Sequence, residues 1–349
     1  MRLRHLVIII AALASLRAAA DEVHQIPFVV GLTTTKTISE PRGDYETVEV
    51  LQEIGRGSVT IVRSGEAPND AAVLEELVIS RKVRLEDLRD SRIMRTYFHT
   101  SDPEEFPGTS PMATALMIEE LRSVGHTHVT YLDVQPQYGM AFVARTLSGD
   151  LTRVEAGPIE VPMLVNGSRV GLRTLHVRGR LTDGSDGSDF ELFLLDDPDN
   201  PLLLRGRGAH SSGETVKIDF PLPRGAVGSM EQNLSKERKA VTYGIYFAFA
   251  RAEIRPVSER TLTEIALIMK KNPDWKLRID GHTDKVGGDK FNLDLSQRRS
   301  GSVKRALTQR YGIAADRLST GGYGASQPEE TNDTPEGRAR NRRVVLTRE

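Results

Sequence analysis

The sequence predicts an α+β protein, an antiparallel β-rich amino-terminal domain followed by a small α/β sandwich. Three observations carry this reading. From about Val29 to Pro221, short runs of alternating apolar and polar residues are broken by turn residues, the signature of strands and hairpins. From Val241 onward, strand-like runs interleave with runs of helical period, as when helices pack on a sheet. Between them, "LPRGAVGSMEQNLSKERKA" turns to Gly, Ser and charge, with a short helical run near its end, and reads as a linker.

The first 20 residues, "MRLRHLVIIIAALASLRAAA", have a basic start at Arg2 and Arg4, an apolar stretch from Leu6 to Leu16, and Ala18-Ala19-Ala20 before Asp21. This is the layout of a Sec signal peptide with an Ala-x-Ala cleavage site. The apolar stretch is too short for a comfortable membrane span, and no later segment approaches ~18 uninterrupted apolar residues. The expected organisation is a signal peptide at 1–20, a β-rich domain at 21–225, a linker at 226–240 and the α/β domain at 241–349. A mature chain of about 330 residues is long enough for two or three ordinary cores.

The chain has no cysteine, which excludes disulfides, thiolate metal sites and a catalytic thiol, and removes the lipid-attachment residue of a bacterial lipoprotein. Lys plus Arg is 47 against 48 for Asp plus Glu, a balance that points to no nucleic-acid partner. An exported periplasmic protein is the expectation.

In the amino-terminal part, "YETVEVLQEIGRGSVTIVRSG" alternates around Gly55 and Gly57, and "VPMLVNGSRVGLRTLHVRGRL" carries Asn166-Gly167, the dipeptide favoured in type I′ hairpins. "FELFLLDDPDNPLLLRGRG" reads as two strands about a Pro and Asn turn. One helix stands out, with Ser110 as N-cap, Pro111 at its first position, "MATALMIEELRSV", and Gly125 as its stop. An outer-membrane barrel would need girdles of aromatic residues, and only 5% of the chain is aromatic.

The carboxy-terminal part reads as strand "VTYGIYFAF", helix "PVSERTLTEIALIMKKN" with Leu262, Ile265, Ile268 and Met269 on one side, strand "WKLRIDG", a helix from about Asn292 to Tyr311, strand "LSTGGYG", a short helix near "EGRARNRR" and strand "VVLTR". On the helix from Asn292, residues Leu295, Val303, Ala306 and Leu307 share a face, and Arg299 lies in the middle of it. A buried guanidinium is costly unless paired and hydrogen-bonded. Asp284, in the loop "GHTDKVGG" after a strand, is the nearest good partner. A carboxylate and a guanidinium facing one cavity suit the charged end of an amino acid, while the loop glycines 281, 287 and 288 allow close backbone approach. A structural Asp to Arg ion pair fits the same spacing.

The runs "GHTDKVGGDKFNLDLSQRR", "YGIAADRLSTGGYGASQP" and "NDTPEGRARNRRV" follow one another in the order and spacing of the OmpA-like peptidoglycan-binding domain, the module of outer membrane protein A, Pal and MotB. Residues 241–349 resemble that family closely. The resemblance implies binding to the diaminopimelate of peptidoglycan stem peptides, with Asp284 and Arg299 as the ligand-gripping pair. It further implies that Thr283 and Asn292 shape the pocket and that Arg342 belongs to it. Family members often carry Asp after the first strand's Phe, where this chain has Ala248, so binding is expected to survive in weaker form.

Other signals carry less. His126 and His128 put two imidazoles on one strand face without further ligands at metal spacing. "DGSDGSD" at 183–189 lacks the twelfth-position glutamate of an EF-hand and reads as a hairpin turn. "GRGSV" and "GRGAH" are too weak for a phosphate site. Neither a catalytic set nor a cofactor or metal site is expected. The expected protein is a noncatalytic periplasmic wall binder, associated with the cell wall and the outer membrane, whose amino-terminal domain could dock another envelope protein. The alternative is a wall-tethered hydrolase using carboxylates such as Glu119, Glu120, Asp196 and Asp197, none flanked by a convincing partner.

Overall fold

The computed structural model describes residues 25–40, 43–68, 74–95, 104–137, 140–208, 211–221 and 229–349. The expected signal peptide, residues 1–20, lies outside them. Strands β1 (Thr33–Glu40), β2 (Gly43–Ile54), β3 (Ser58–Pro68) and β4 (Leu74–Arg84) pair antiparallel in sequence order. Helix α1 (Leu85–Asp90) and the short strands β5 (Ile93–Met94), β6 (Glu104–Glu105) and β7 (Thr109–Ser110) follow, then α2 (Ala115–Ser123). The remaining strands of this sheet are β8 (His126–Gln137), β9 (Met140–Arg153), β10 (Ile159–Val165), β11 (Ser168–Thr182), β12 (Gly187–Leu195), β13 (Leu203–Arg207) and β14 (Ser212–Asp219).

Most pairings are antiparallel, as expected, with parallel exceptions at β4/β6, β5/β7, β5/β8 and β10/β14. The β10/β14 pair matters most, because the ladder β11, β12, β13, β14, β10 returns to β11 and closes a ring of pairings. Met163, Val165, Leu172, Leu195, Leu204 and Ile218 from these strands are buried together with Leu51, Val59, Ile61 and Val83. The hairpin between β10 and β11 turns at Asn166 and Gly167, with φ of 46° and 81°, the left-handed pair that a type I′ turn requires.

Helix α2 starts later than the sequence suggested. Ser110 is paired within β7, and Thr114 is the N-cap, its hydroxyl accepting from the Met117 amide at 3.4 Å. Ser110 and Pro111 met the cap pattern, but the strand pairing to Met94 holds Ser110 extended. The predicted stop holds: Gly125, at φ 83°, donates to the Glu120 carbonyl at 3.2 Å.

The stretch expected to be a linker is structured from Ser229. Helix α3 (Ser229–Lys236) and strand β15 (Lys239–Thr242) bury Met230, Leu234 and Ala240 in the core of the second unit. The short helical run expected near the end of this stretch is α3, and its apolar pair four residues apart supplies the face that docks. Residues 222–228 lie outside the described residues.

Helix α4 (Glu259–Lys271), strand β16 (Leu277–Gly281), helix α5 (Asp289–Gln309), strand β17 (Leu318–Gly322), helix α6 (Pro335–Asn341) and strand β18 (Val344–Arg348) complete this unit. Its sheet runs β15, β18, β16, β17, with only β16/β17 parallel. Leu262, Ile265, Ile268 and Met269 of α4 and Val303, Ala306 and Leu307 of α5 share one core with Leu277, Ile279 and Leu346. The expected first strand is shorter than its apolar run: past Thr242 the chain makes only an isolated bridge between Phe247 and Ile254. No helix among the described residues is long and apolar enough to cross a membrane.

Candidate functional site

The site is built where β16 ends and α5 begins. Gly281 closes β16 against α5, so near that any β-carbon there would collide with the Ser296 carbonyl oxygen. The loop of residues 282–288 then turns through Gly287 and Gly288, at φ 100° and 83°, a conformation that side chains disfavour. Asn292, buried on α5, donates from its amide nitrogen to the carbonyls of Asp284, at 3.2 Å, and Val286, at 2.9 Å. It pins the loop's backbone to the helix.

That clamp fixes Asp284. One carboxylate oxygen accepts from the Val286 amide at 2.9 Å and the other from Arg342 at 2.7 Å. The Asp284 side chain is 12% exposed and that of Arg342 30%, so the pair is reachable from solvent. Thr283, one residue back, donates its amide to the Gly324 carbonyl at 3.0 Å, while its buried hydroxyl has no hydrogen-bond partner among the described residues. His282 stacks on Tyr323, with ring centroids 5.3 Å apart.

Arg299 is half-buried on the inner side of α5, as its place on the helix stripe required. It does not bond directly to Asp284, as a structural Asp–Arg ion pair would require. Its Nε donates to the Arg251 carbonyl at 3.0 Å and one terminal nitrogen to the Ala248 carbonyl at 3.4 Å. The guanidinium lies 4.8 Å from the centre of the Phe247 ring. Ala248, where a side-chain carboxylate was missed, thus contributes its backbone oxygen. Burial, and then the charge of Arg342, push Arg299 down to about 10, and Asp284 pulls the other way. Arg299 stays charged at neutral pH in a place where a positive charge is disfavoured, and an incoming carboxylate would relieve that cost.

Arg342, at the C-terminal end of α6, is the hub of the cluster. One terminal nitrogen binds Asp284 and the other binds Glu46 of β2, in the large sheet. Burial works against its charge, but Glu46 and Asp284 outweigh burial and raise it above the usual range. Glu46 is the residue that sequence reasoning missed. Within "YETVEV" it is an ordinary polar strand position, and nothing local distinguishes it.

The signals set aside elsewhere have local partners. His128 bonds Asp150 at 2.7 Å and Ser148 at 3.0 Å. Asp183 closes the β11 to β12 turn, its carboxylate accepting from the amides of Ser185 and Asp186, and these bonds, with the Ser185 hydroxyl, hold it down at about 2. Of the carboxylates considered for hydrolysis, Glu120 is paired with Arg92, and Asp196 with Arg122 and Arg173 at 3.2 Å for the latter. No group of three His, Asp or Glu able to hold a metal is found among the described residues.

Residues 246–342 match the OmpA family. The chain is 38% identical over 104 residues to outer membrane porin F of Pseudomonas aeruginosa, covering 30% of this chain and 30% of that protein. It is 39% identical over 115 residues to the peptidoglycan-binding protein ArfA of Mycobacterium tuberculosis, covering 33% of this chain and 35% of that one. The crystal structure of the peptidoglycan-associated lipoprotein from Burkholderia pseudomallei is 28% identical, with a TM-score of 0.28, covering 30% of this chain and 88% of that one. The chain thus spans about a third of the length of porin F and of ArfA.

Proposed function

We propose that this chain, whose residues 246–342 form an OmpA family domain, is a noncatalytic cell-envelope protein that binds peptidoglycan through the diaminopimelate of its stem peptides. The observation that carries this is the solvent-reachable cluster of Asp284, Arg342 and Arg299 at the mouth of the loop before α5. Asp284 accepts from the ligand's ammonium, and Arg299 offers its guanidinium to the ligand's carboxylate, a bidentate pairing that Lys could not reproduce. Thr283, its hydroxyl without a hydrogen-bond partner among the described residues, and Asn292, through the loop, complete the pocket. The relationship to a peptidoglycan-binding protein of Mycobacterium supports the ligand class.

In this reading residues 1–20 direct export and are removed, the protein resides in the periplasm against the wall and the outer membrane, and residues 21–225 are the cargo held there. That cargo docks a second envelope protein and performs no chemistry. The wall-tethered hydrolase is disfavoured because Glu120 and Asp196 are already neutralised by arginines. The test is cosedimentation of the mature protein with purified diaminopimelate-type sacculi, alongside Asp284→Ala and Arg299→Ala. Each variant should remain largely in the supernatant while the parent pellets. Equal pelleting of all three would overturn the site assignment, and clearing of sacculi in a zymogram would restore the hydrolase.

A further inference from the structure

The contact between Arg342 and Glu46 joins residues 296 positions apart and places a carboxylate of the large sheet in the wall-binding cluster. Within the second unit the cluster holds one carboxylate, Asp284, and two guanidiniums, Arg299 and Arg342, one positive charge in excess. Glu46 cancels it. Its charge is felt at Arg342, where it is the leading attraction, and at Arg299 as well. A ligand carboxylate seated on Arg299 would add a second negative charge beside Glu46, which bonds Arg342 and is felt at Arg299, so the two anions compete for one excess positive charge.

The rest of the contact between the two units is of the kind that can open. Its outer contacts are polar: Glu66 accepts from the Phe249 amide at 2.8 Å and lies 3.9 Å from Arg255, Tyr246 donates to Asp219 at 2.9 Å, and Arg169 lies 3.5 Å from Glu336, while buried Lys217 donates to the Tyr243 carbonyl and lies 3.7 Å from the centre of the Tyr246 ring. A cavity of about 700 Å³ separates the surfaces, with Gly65, Glu66 and Val78 on one side and Tyr243, Arg251 and Arg255 on the other. Relative motion of two units is expected unless their interface is large and hydrophobic, and this one is held mainly by polar contacts. The Glu46 side chain itself is 36% exposed, so solvent and solutes reach it.

We propose that Glu46 is an internal competitor for the wall-binding site, so that capture of a wall ligand and release of the β2 strand from Arg342 are coupled. The inference rests on the wall-binding reading above and adds to it a self-occupied state. The coupling is reciprocal by thermodynamic necessity: whatever pulls the large sheet away from Arg342 tightens wall binding, and wall binding frees the sheet face that carries Glu46 and Glu66. Tethered to the wall, the chain would present that face to a partner only when anchored.

The test uses the full mature chain and a soluble stem peptide carrying meso-diaminopimelate, titrated calorimetrically. Glu46→Gln keeps the side-chain shape and removes the competing charge. If the open form is a minor species of about one to ten per cent, the apparent affinity should rise roughly 10-fold to 100-fold. Glu66→Gln, which loosens the same interface but leaves Glu46 on Arg342, should raise affinity by clearly less. Equal affinity of parent and Glu46→Gln, with binding still abolished by Asp284→Ala, would overturn the competition and leave wall binding standing. An equal gain from Glu66→Gln would also overturn it, since loosening alone would then suffice. Failure of both parent and Glu46→Gln to bind the peptide would bring down the competition together with the wall reading.

Discussion

Replacing Arg299 by Met separates a ligand-gripping arginine from a structural one. In the free protein the substitution loses a bond of 3.0 Å to the Arg251 carbonyl and a weak one of 3.4 Å to Ala248. Hydrogen bonds to a charged group are worth about 1.5–3 kcal/mol when well made, and the contact with Phe247 adds about 0.5–1 kcal/mol. Against this, Met removes a charge that burial and Arg342 both disfavour, and fills the space with an apolar chain of similar length. The net destabilisation should therefore be small, about 1–2 kcal/mol. Binding should respond differently, because the ligand carboxylate would enter a desolvated pocket without its guanidinium, a loss of about 2–5 kcal/mol. At tenfold per ~1.4 kcal/mol that is at least ~30-fold in affinity. Calorimetric titration with a diaminopimelate stem peptide, run beside denaturant melts of the same samples, reads both quantities. Undiminished binding by Arg299→Met would refute the ligand role, and a destabilisation above ~3 kcal/mol would assign the side chain to the fold instead.

Three further expectations concern stability. Burial opposes the charge of Glu49, but Lys36 and Arg63 overcome it and hold the carboxyl at about 2, below its ordinary 4.5. A group depressed in the fold contributes above its unfolded pKa, so up to about 3 kcal/mol should be present at neutral pH and lost as pH falls from 4.5 toward 2; a Glu49→Gln variant with unchanged acid sensitivity would contradict this. Burial, then the charges of Arg343 and Lys239, hold His282 down at about 4 from 6.5, so its stabilising neutrality is complete above pH 6.5 and fades as pH drops toward 4. Its imidazole should show no titration near pH 6.5 by NMR, and a midpoint there would be the contrary result. Gly281→Ala should cost about 1–3 kcal/mol in denaturant melts and weaken sacculus binding, because the new methyl meets the Ser296 carbonyl and displaces the loop; a neutral melt would show that α5 yields freely.

Much of the second unit was legible because each of its signals is local. The apolar period of α4 and α5 foretold which residues are buried, and the glycines of the loop after β16 foretold its turn. Local signals failed where two of them competed. Ser110 and Pro111 meet every requirement of a helix start, yet pairing with β5 keeps Ser110 extended and leaves the cap to Thr114. In the stretch before β15 the short helical run was legible, but not that two apolar residues, Met230 and Leu234, would dock it on the second unit's core. The ring closed by β10 and β14 rests on a two-residue parallel pairing, between segments about fifty positions apart, for which the sequence holds no short-range sign.

The cluster of Asp284, Arg299 and Arg342 shows what residue type can and cannot foretell. An arginine in the middle of an apolar helix face announces a buried charge, and a nearby aspartate is its simplest partner, so residue type brings Asp284 and Arg299 together as an ion pair or a ligand site, and only the family resemblance chooses between the two. The structure divides the work differently. Arg342 takes Asp284, and Arg299 rests on two backbone oxygens and a ring. Burial pushes both guanidiniums down; at Arg342 two bonded carboxylates outweigh it, whereas Arg299, held by carbonyls, has no bonded anion to offset burial and the charge of Arg342. Of the two arginines, Arg299 is therefore the one with charge left to satisfy, and Arg342 the one that sets where Asp284 points. Glu46 was hidden for another reason. A period of two assigns a strand residue to a face but says nothing of what that face meets, and with 48 acidic residues in the chain, charge complementarity alone selects no partner for Arg342.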